Sequence, residues 1–306
     1  MRVSVILVSY NTKELLRAAL SSITDQHEII VVDNASTDGS AEMVESEFPT
    51  AKLIRNDRNV GFGAANNQGM EAASGDLVLL LNSDARPVDD AISQLARLFD
   101  ETDIVAAGGK LTHPNGSLQE SACTELTLWA VFCEQTLLEK VFPRSSFFSS
   151  YWQSARLLKN GAGPHEVAQV MGACLMMRPV ARFDERFFLY CEDTELCYRL
   201  RKHGRIVYDP RSIFVHELGA SSQSRWEAVA RYNRGKELYF QIHHGRAQAF
   251  FCWFFNRIGA FKRVMIWLLA TTLTLGTVGS FRNRLILFLR VLFAPISGPQ
   301  LPADTR

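Results

Sequence analysis

Residues 77–84 have the sequence LVLLLNSD, in which the apolar run Leu77–Leu81 is followed at once by Asn82, Ser83 and Asp84. A short, uninterrupted run of Leu and Val is typical of a central strand that is buried on both faces of a parallel sheet. A carboxylate directly after such a strand is costly to bury unless a cation or a hydrogen-bond donor compensates its charge. We therefore expect Asp84 to face a ligand-binding crevice at the carboxyl edge of the sheet.

The sequence around this strand alternates β-branched runs with amphipathic stretches over residues 3–110, which predicts strand–helix–strand units and a mostly parallel sheet. The predicted strands are Val3–Val8, Glu28–Val32, Ala51–Arg55, Leu77–Leu81 and Ile104–Ala107. The predicted helices are Thr12–Ile23, Thr37–Phe48, Ala64–Ala73 and Asp90–Phe99. The fold class is therefore α/β.

The pattern is less regular after Lys110. Pro114-Asn115-Gly116 predicts a hairpin turn, and the mixed composition of Thr124–Pro164 favours no element. The later predicted elements are a strand over Val167–Met177, a helix over Asp193–His203 that ends at Gly204, and strands over Arg205–Tyr208 and Ile213–His216. We divide the chain into residues 1–110, residues 111–225 and a tail of residues 226–306.

Composition excludes some classes of function and sets the tail apart. The chain has 33 Lys and Arg against 32 Asp and Glu, which argues against a nucleic-acid binder. No acidic residue occurs in 238–303. Val264–Phe281 is uncharged but rich in Thr and Gly, so it is a marginal membrane span. The apolar blocks Phe250–Phe255 and Leu285–Phe293, edged by Arg, favour membrane-associated helices at a lipid surface; a soluble pair of core helices is the alternative.

The cysteines and the amino terminus indicate the compartment. The six cysteines form no CxxC pair, which predicts buried thiols in a reducing environment and argues against zinc. The apolar run Val3–Val8 is too short for the core of a signal peptide. We expect the protein to work at the cytoplasmic face of the inner membrane.

Polar residues follow three of the predicted strands. They are Ser9, Tyr10 and Asn11 after the first strand, Asp33, Asn34 and Ser36 after the second, and Asn82, Ser83 and Asp84 after the fourth. Any one cluster is explained by ordinary turn chemistry. Three clusters at one edge of a parallel sheet predict a binding site. A hard cation, Mg or Mn, shared with phosphate oxygens would compensate Asp84; the alternative is that Asp84 caps a helix that starts near Pro87.

Several segments, taken in order, resemble the signature of family 2 glycosyltransferases with the GT-A fold, and most resemble their rhamnosyltransferase-like branch. They are Val31-Val-Asp-Asn-Ala-Ser-Thr-Asp-Gly-Ser40, Asn59-Val-Gly-Phe-Gly-Ala-Ala-Asn-Asn-Gln-Gly69, Leu81-Asn-Ser-Asp84 and Phe183-Asp-Glu-Arg-Phe-Phe-Leu-Tyr-Cys-Glu-Asp193. The resemblance covers about residues 3–222. It implies an inverting, metal-dependent transferase that uses a nucleotide-diphosphate sugar, most simply a dTDP- or UDP-sugar. It also implies that residues 1–110 bind the nucleotide sugar and that residues 111–225 bind the acceptor and carry the base.

The resemblance also implies roles for single residues. It places Ser9, Tyr10, Asn11, Asp33, Asn66, Asn82 and Ser83 at the nucleotide sugar, Asp84 and His216 at the metal or diphosphate, and Gly172 and Glu192 near the acceptor. Asn82 departs from the family's DxD-type motif, where the first residue is often Asp. The protein therefore supplies little charge to the metal, and the diphosphate would have to bring the rest. Without the resemblance, a lone histidine such as His216 is more often a core residue.

Asp193 is the residue that matches the family's catalytic base. Attack on an anomeric carbon needs a hydroxyl that loses its proton as it attacks, and one positioned carboxylate suffices. The helix dipole lowers the basicity of Asp193, and burial would have to raise it. The alternative is an acidic first turn opposite Arg199 and Arg201.

We therefore predict a hexosyltransferase that moves a rhamnose-like or other hexose to a glycan or polyprenyl-linked acceptor in the synthesis of cell-envelope polysaccharide. Gly61–Asn66 mimics a dinucleotide-binding motif, but it follows the third strand instead of the first, so an oxidoreductase is improbable. A sugar nucleotidyltransferase is a further alternative, but the early Gly-rich phosphate loop of that class is absent from this sequence. A membrane-tethered nucleotide-sugar binding module remains an alternative, for which Asp193 would be dispensable.

Overall fold

The computed structural model describes residues 1–24, 26–161, 163–217 and 225–294. Its amino-terminal part alternates strands and helices, as the sequence predicts. The strands are β1 (Val3–Ser9), β2 (Glu28–Asp33), β3 (Lys52–Arg55), β4 (Leu77–Asn82), β5 (Ala85–Pro87) and β6 (Ile104–Thr112). The helices are α1 (Lys13–Ser21), α2 (Ser40–Glu47), α3 (Phe62–Ala72) and α4 (Ala91–Arg97), which a 3₁₀ turn over Leu98–Asp100 extends.

The second part of the chain, residues 111–225, is less regular. It includes short helices in 124–164, the segment for which the sequence favoured no element. Its strands are β7 (Leu118–Gln119), β8 (Ala122–Cys123), β9 (His165–Val167), β10 (Gln169–Val170), β11 (Cys174–Met177) and β12 (Arg205–His216). Its helices are α5 (Leu128–Thr136), α6 (Leu138–Val141), α7 (Ser154–Leu157) and α8 (Glu192–Leu200). The predicted hairpin turn forms, because the Gly116 N–H donates to the His113 carbonyl at 2.8 Å and β7 then pairs with β6.

Within the described residues, ten strands form one sheet whose main path is β3-β2-β1-β4-β11-β6-β12-β5. The first four strands of this path are parallel, and β11 joins β4 to β6 by antiparallel pairing. β4 lies in the middle, and its side chains alternate between two apolar layers: Leu77, Leu79 and Leu81 face one, Val78 and Leu80 the other. The apolar run Leu77–Leu81 is therefore buried on both faces of the sheet, as its sequence predicts.

Two strand predictions need correction. Val167–Met177 is not one strand, because β9 ends at Val167, β10 pairs with β8 outside the main sheet, and the chain joins the main sheet again only at Cys174 as β11. The intervening turn holds Gly172, so the break belongs to the site. Arg205–Tyr208 and Ile213–His216 are parts of the single strand β12, whose register against β6 shifts between Asp209 and Ile213.

The tail forms three helices, α9 (Arg225–His243), α10 (Arg246–Leu273) and α11 (Gly279–Leu292). The marginal span Val264–Phe281 is interrupted, since α10 ends at Leu273 and α11 begins only at Gly279. Among the helices in the described part of the chain, none combines the length and the apolar character needed to cross a bilayer.

The tail packs directly on α5 of the second part. Gly259 of α10 allows this approach, because a Cβ at that position would lie 2.8 Å from the Gln135 Cβ. Lys262 donates to the Thr136 carbonyl at 2.6 Å, and Arg263 donates to the Gln135 carbonyl at 3.1 Å. These cations satisfy carbonyls that would otherwise be unpaired at the carboxyl end of α5. Part of the tail's positive charge therefore has a packing role.

Candidate functional site

A cleft of about 550 Å³ opens where the parallel strands end. Its wall includes Tyr10 beyond β1, Asn34 beyond β2 and Asp84 beyond β4. The opposite side is formed by the turn that holds Gly172 and by the first turn of α8. The volume lies in the range of clefts that bind small molecules and cofactors, and the position matches the crevice rule for open α/β sheets.

Asp84 and His216 meet in this cleft. The Asp84 Oδ1 atom lies 3.1 Å from the His216 Nε2 atom, and both side chains are almost completely buried. The pairing of β5 with β12 produces this contact, because His216 is in register with Ala85, the residue next to Asp84. The alternative, in which Asp84 caps a helix that starts near Pro87, is wrong, since α4 begins at Ala91 and its cap position is Asp90.

Two amide side chains complete the surroundings of His216. The Asn82 Nδ2 atom lies 3.2 Å from His216 Nε2. On the other side of the ring, the side-chain nitrogen of Gln119 lies 3.0 Å from His216 Nδ1, and its oxygen lies 3.2 Å from the same atom. Gln119 is buried. The imidazole is therefore held at both of its nitrogens.

A strained turn delivers the second acidic group to the cleft. Tyr190 and Cys191 are consecutive non-glycine residues with positive φ, 74° and 66°, immediately before α8. Such backbone conformations cost of order 1–3 kcal/mol each and tend to occur at functional sites. The turn places Glu192 and Asp193 in the wall of the cleft that also contains Asp84.

The Asp193 carboxylate is held by backbone donors. Its Oδ2 accepts a hydrogen bond from the Gly172 N–H at 3.0 Å, and its Oδ1 accepts one from the Thr194 N–H at 2.8 Å. Burial raises the pKa of the Asp193 carboxyl, while these N–H groups act in the opposite direction. The Thr194 hydroxyl also lies 3.5 Å from Oδ1, whereas Oδ2 keeps a second lone pair for a further proton or hydrogen bond.

Glu192 has a different environment. It is 5% exposed, and its Oε2 atom has no hydrogen-bond partner among the described residues. Burial, and next the nearby charge of Asp193, raise the pKa of the Glu192 carboxyl to about 8. At neutral pH this side chain is therefore largely a neutral acid, which can donate a hydrogen bond into the cleft.

Only some of the residues predicted to bind the nucleotide lie in the wall of the cleft. Tyr10, Asn82 and Ser83 line the cleft. Asp33 is buried beside it, and its Oδ1 atom has no hydrogen-bond partner among the described residues.

Three other predicted residues use their side chains for hydrogen bonds within the protein. The Ser9 hydroxyl pairs with Thr12 Oγ1, Asn11 accepts from the Thr37 N–H, and the Asn66 amide donates to the Phe62 carbonyl at 2.9 Å. Direct contact of Ser9, Asn11 and Asn66 with a ligand stays a prediction.

The sequence profile of the family described as Glycosyl transferase family 2 matches residues 4–156, half of the chain. The chain belongs to this family. Among curated proteins, it is 28% identical over 240 residues to the N-acetylglucosaminyl-diphospho-decaprenol L-rhamnosyltransferase of Mycobacterium tuberculosis, covering 71% of this chain and 76% of that protein. It is 26% identical over 238 residues to the O-antigen biosynthesis protein RfbC of Myxococcus xanthus, covering 73% of this chain and 18% of that protein.

Solved structures support the fold of this family 2 glycosyltransferase. The mannosyltransferase PcManGT from Pyrobaculum calidifontis, in complex with GDP-Man and Mn²⁺, superposes with a TM-score of 0.54 at 15% identity, covering 95% of this chain and 85% of that one. GalNAc-T7 with UDP, GalNAc and Mn²⁺ gives a TM-score of 0.56 at 16% identity, covering 81% and 51%. These likenesses confirm a GT-A-like α/β fold.

Sequence reasoning missed several parts of the glycosyltransferase's cleft. Tyr151 and Trp152 line it, although their segment favoured no element. The Tyr151 hydroxyl donates to Gln169 at 3.1 Å, and the Gln169 amide donates to the Thr194 hydroxyl at 3.0 Å, next to Asp193. No sequence spacing predicts this chain of contacts.

The contribution of α9 to the cleft was also missed, because the sequence analysis assigned residues 226–306 to a separate tail. Arg225, Ala228, Val229, Arg231 and Tyr232 all line the cleft. The first two turns of this helix therefore belong with the site. Their mixture of basic, apolar and aromatic side chains is the one signal in the sequence that fits a binding surface instead of a linker.

Proposed function

We propose that this glycosyltransferase transfers a hexose from a nucleotide-diphosphate sugar to an acceptor hydroxyl with inversion at the anomeric carbon. The observation that carries the proposal is the sharing of one cleft by Asp193 and the Asp84–His216 pair. Inversion needs a base on one face of the sugar and stabilisation of the departing diphosphate on the other. One group of each kind is available in the wall of this cleft.

The Asp84–His216 pair fits a divalent cation, Mg or Mn, that is shared with a diphosphate. Among the described residues no cluster of three His, Cys, Asp or Glu side chains could hold a metal alone. A hard cation bound through one or two protein ligands takes its other ligands from phosphate oxygens and water, and an imidazole favours Mn over Mg. When bound, the cation would offset the charge that develops on the diphosphate.

Asp193 is proposed as the general base. Its two backbone donors fix the carboxylate in one orientation, and the second lone pair of Oδ2 can take the proton of the acceptor hydroxyl. Glu192 is proposed to contact the acceptor as a neutral donor, consistent with its raised pKa of about 8. Gly172 allows the acceptor to approach the backbone beside Asp193.

The donor is proposed to be a dTDP- or UDP-sugar and the acceptor a glycan or a polyprenyl-linked glycan of the cell envelope. The similarity to a rhamnosyltransferase whose name specifies a decaprenol-linked substrate supports this choice. So does the cleft itself, because α9 carries Arg225 and Arg231 into its wall, and basic side chains suit an anionic diphosphate acceptor.

Assays of the full chain with dTDP- and UDP-sugars test the proposal, with Mn²⁺ present and release of the nucleotide as the readout. Asp193→Asn should lower turnover by about 10²–10⁴-fold, the usual contribution of a general base, while nucleotide binding by calorimetry stays within about twofold. Glu166→Gln, at an exposed position of β9, is the matched control. Unchanged turnover in Asp193→Asn would remove the base assignment. Binding of nucleotide sugar without any turnover by the wild type would favour a binding module.

We further propose that the outer faces of α10 and α11 rest on the cytoplasmic face of the membrane. Large apolar side chains are exposed along both helices, with exposures of 55% for Phe250, 56% for Phe261 and 49% for Ile286. Acidic side chains are absent from the described part of both helices, 246–273 and 279–292. Such a surface suits the interface of an anionic bilayer.

Vesicle sedimentation tests this placement. The triple variant Phe250→Ser, Phe254→Ser, Phe261→Ser removes side chains that are about half exposed, so each change should cost about 1 kcal/mol of partitioning and the three together about 10²-fold in binding. Val180→Ser, an exposed apolar position outside the tail, is the control. Equal sedimentation of the triple variant and the wild type with phosphatidylglycerol vesicles would refute the proposal.

A further inference from the structure

Gln119 holds the side of His216 that faces away from the cleft. It lies in β7, which the hairpin after β6 returns to the sheet in register with Leu111. Both atoms of its amide are within hydrogen-bond distance of His216 Nδ1, at 3.0 Å for Nε2 and 3.2 Å for Oε1. Gln119 is 5% exposed and His216 is 3% exposed, so water does not readily replace this contact.

The two nitrogens of His216 are linked by tautomerism. A neutral imidazole carries its proton on Nε2 or on Nδ1, and the bare nitrogen accepts a hydrogen bond or binds a metal. If Nε2 is protonated, it can donate to Asp84 Oδ1 at 3.1 Å, and Nδ1 then needs a donor. If Nε2 is to bind a cation, the proton must sit on Nδ1, which then needs an acceptor.

The residues present can serve both tautomers. The Gln119 amide has a donor and an acceptor within reach of Nδ1. At Nε2, Asp84 can only accept when it is ionised, whereas the Asn82 amide at 3.2 Å can donate. A carboxylate in place of Gln119 would favour one tautomer, and an apolar side chain would leave a buried nitrogen unpaired at a cost of about 1–3 kcal/mol.

We propose that Gln119 is a positioning residue that keeps His216 Nδ1 hydrogen-bonded in both tautomers, so that Nε2 can exchange its contact with Asp84 for a bond to a divalent cation. The inference rests on the proposed function for the cation itself. It also gives a reason for Asn82, because an ionised Asp at that position would be a second acceptor beside Nε2 and would favour the tautomer that cannot bind a metal.

Two Gln119 variants test the inference on the full chain. ¹⁵N-labelled histidine reports the tautomer of each ring by NMR, and the signals that disappear in His216→Gln identify His216. Metal-free Gln119→Glu should shift His216 towards the Nδ1-protonated form, because the carboxylate only accepts. Gln119→Leu should weaken Mn²⁺ binding in the presence of UDP, measured by electron paramagnetic resonance, by about 10–100-fold, the usual effect of a lost partner of a metal-binding histidine.

Gln135→Leu is the matched control, since Gln135 is a buried glutamine of α5 whose amide contacts Asn233 and Arg263. It should change neither the tautomer of His216 nor the Mn²⁺ affinity. An unaltered tautomer in Gln119→Glu, or Mn²⁺ binding within twofold of the wild type in Gln119→Leu, would overturn the inference. If wild type with UDP binds no Mn²⁺, or if His216→Gln binds it normally, the proposed metal role fails instead, and the tautomer measurement still decides the role of Gln119.

Discussion

Replacing Glu192 by Gln should stabilise the folded protein at alkaline pH and leave its stability nearly unchanged in acid. The Glu192 carboxyl is 5% exposed, and one of its oxygens has no partner among the described residues. Burial, with the charge of Asp193 second, raises its pKa from 4.5 to about 8. Ionisation of Glu192 in the folded wild-type protein therefore costs free energy, because its charged form is poorly solvated there. A neutral amide of the same size removes that cost.

Thermodynamic linkage between protonation and folding gives the sign and the size of this stability difference. Between about pH 4.5 and pH 8 the folded state retains a proton that the unfolded state releases, so the free energy of unfolding falls as the pH rises. Below this window both states are protonated and the cost vanishes. The difference of about 3.5 pH units corresponds to about 5 kcal/mol at 1.36 kcal/mol per unit. We expect the stability advantage of Glu192→Gln to grow from near zero at about pH 5 to about 3–5 kcal/mol at about pH 9.

Urea unfolding of both proteins at several pH values measures this difference, because all other groups titrate in both. Infrared spectroscopy gives an independent readout, since the carbonyl band of a protonated carboxylic acid should be present at pH 7 in the wild type and reduced in Glu192→Gln. Glu166→Gln changes an exposed side chain, so the difference in unfolding free energy between this variant and the wild type should not change with pH. A stability difference between Glu192→Gln and the wild type that stays constant within about 1 kcal/mol over this range would refute the reasoning.

Two further predictions concern glycines with matched controls. Gly61→Ala should impair nucleotide-sugar binding, measured by calorimetry, because Gly61 has φ of 93° and a Cβ there would lie 2.6 Å from the Phe188 carbonyl oxygen; Gly116→Ala, with φ of 79° but open space around it, should lose only about 1 kcal/mol of unfolding free energy and no binding. Gly259→Ala should lower the unfolding free energy by about 1–3 kcal/mol and therefore lower the melting temperature, since its Cβ would overlap α5. Gly279→Ala should leave the melting temperature unchanged, because the nearest atom to a Cβ there lies 4.0 Å away. Equal effects within either pair would contradict the packing argument.

The sequence was most informative where one local signal determines burial. Five apolar residues in 77–81 predicted a central strand, and the structure places them in two apolar layers. The polar residues that end β1, β2 and β4 are close together for the same reason, because parallel strands bring their carboxyl ends to one edge. The position of Asp84 in the cleft follows from this rule.

Contacts between distant segments could not be predicted in this way. Gln119 and His216 are 97 residues apart, and neither β7 nor the register of β12 has a strong local pattern. Tyr151 and Trp152 reach the cleft through a loop whose composition fits no periodicity. The break at Gly172 was missed because the residues on both sides are apolar, so the pattern looks like one continuous strand.

The relation between the tail and the site follows from packing at α9. Gly235 lies against the strained turn, since a Cβ there would be 2.6 Å from the Tyr190 carbonyl oxygen and 3.0 Å from the Cys191 Cβ. The next residue, Lys236, is completely buried, and its Nζ atom lies 2.6 Å from Glu134 of α5. The positive φ values at 190 and 191 persist only if neighbouring structure holds them, and α9 is the element that covers them. The same helix therefore connects the proposed membrane surface to the turn that positions Asp193, which is a physical reason for a catalytic domain and its apolar tail to fold together.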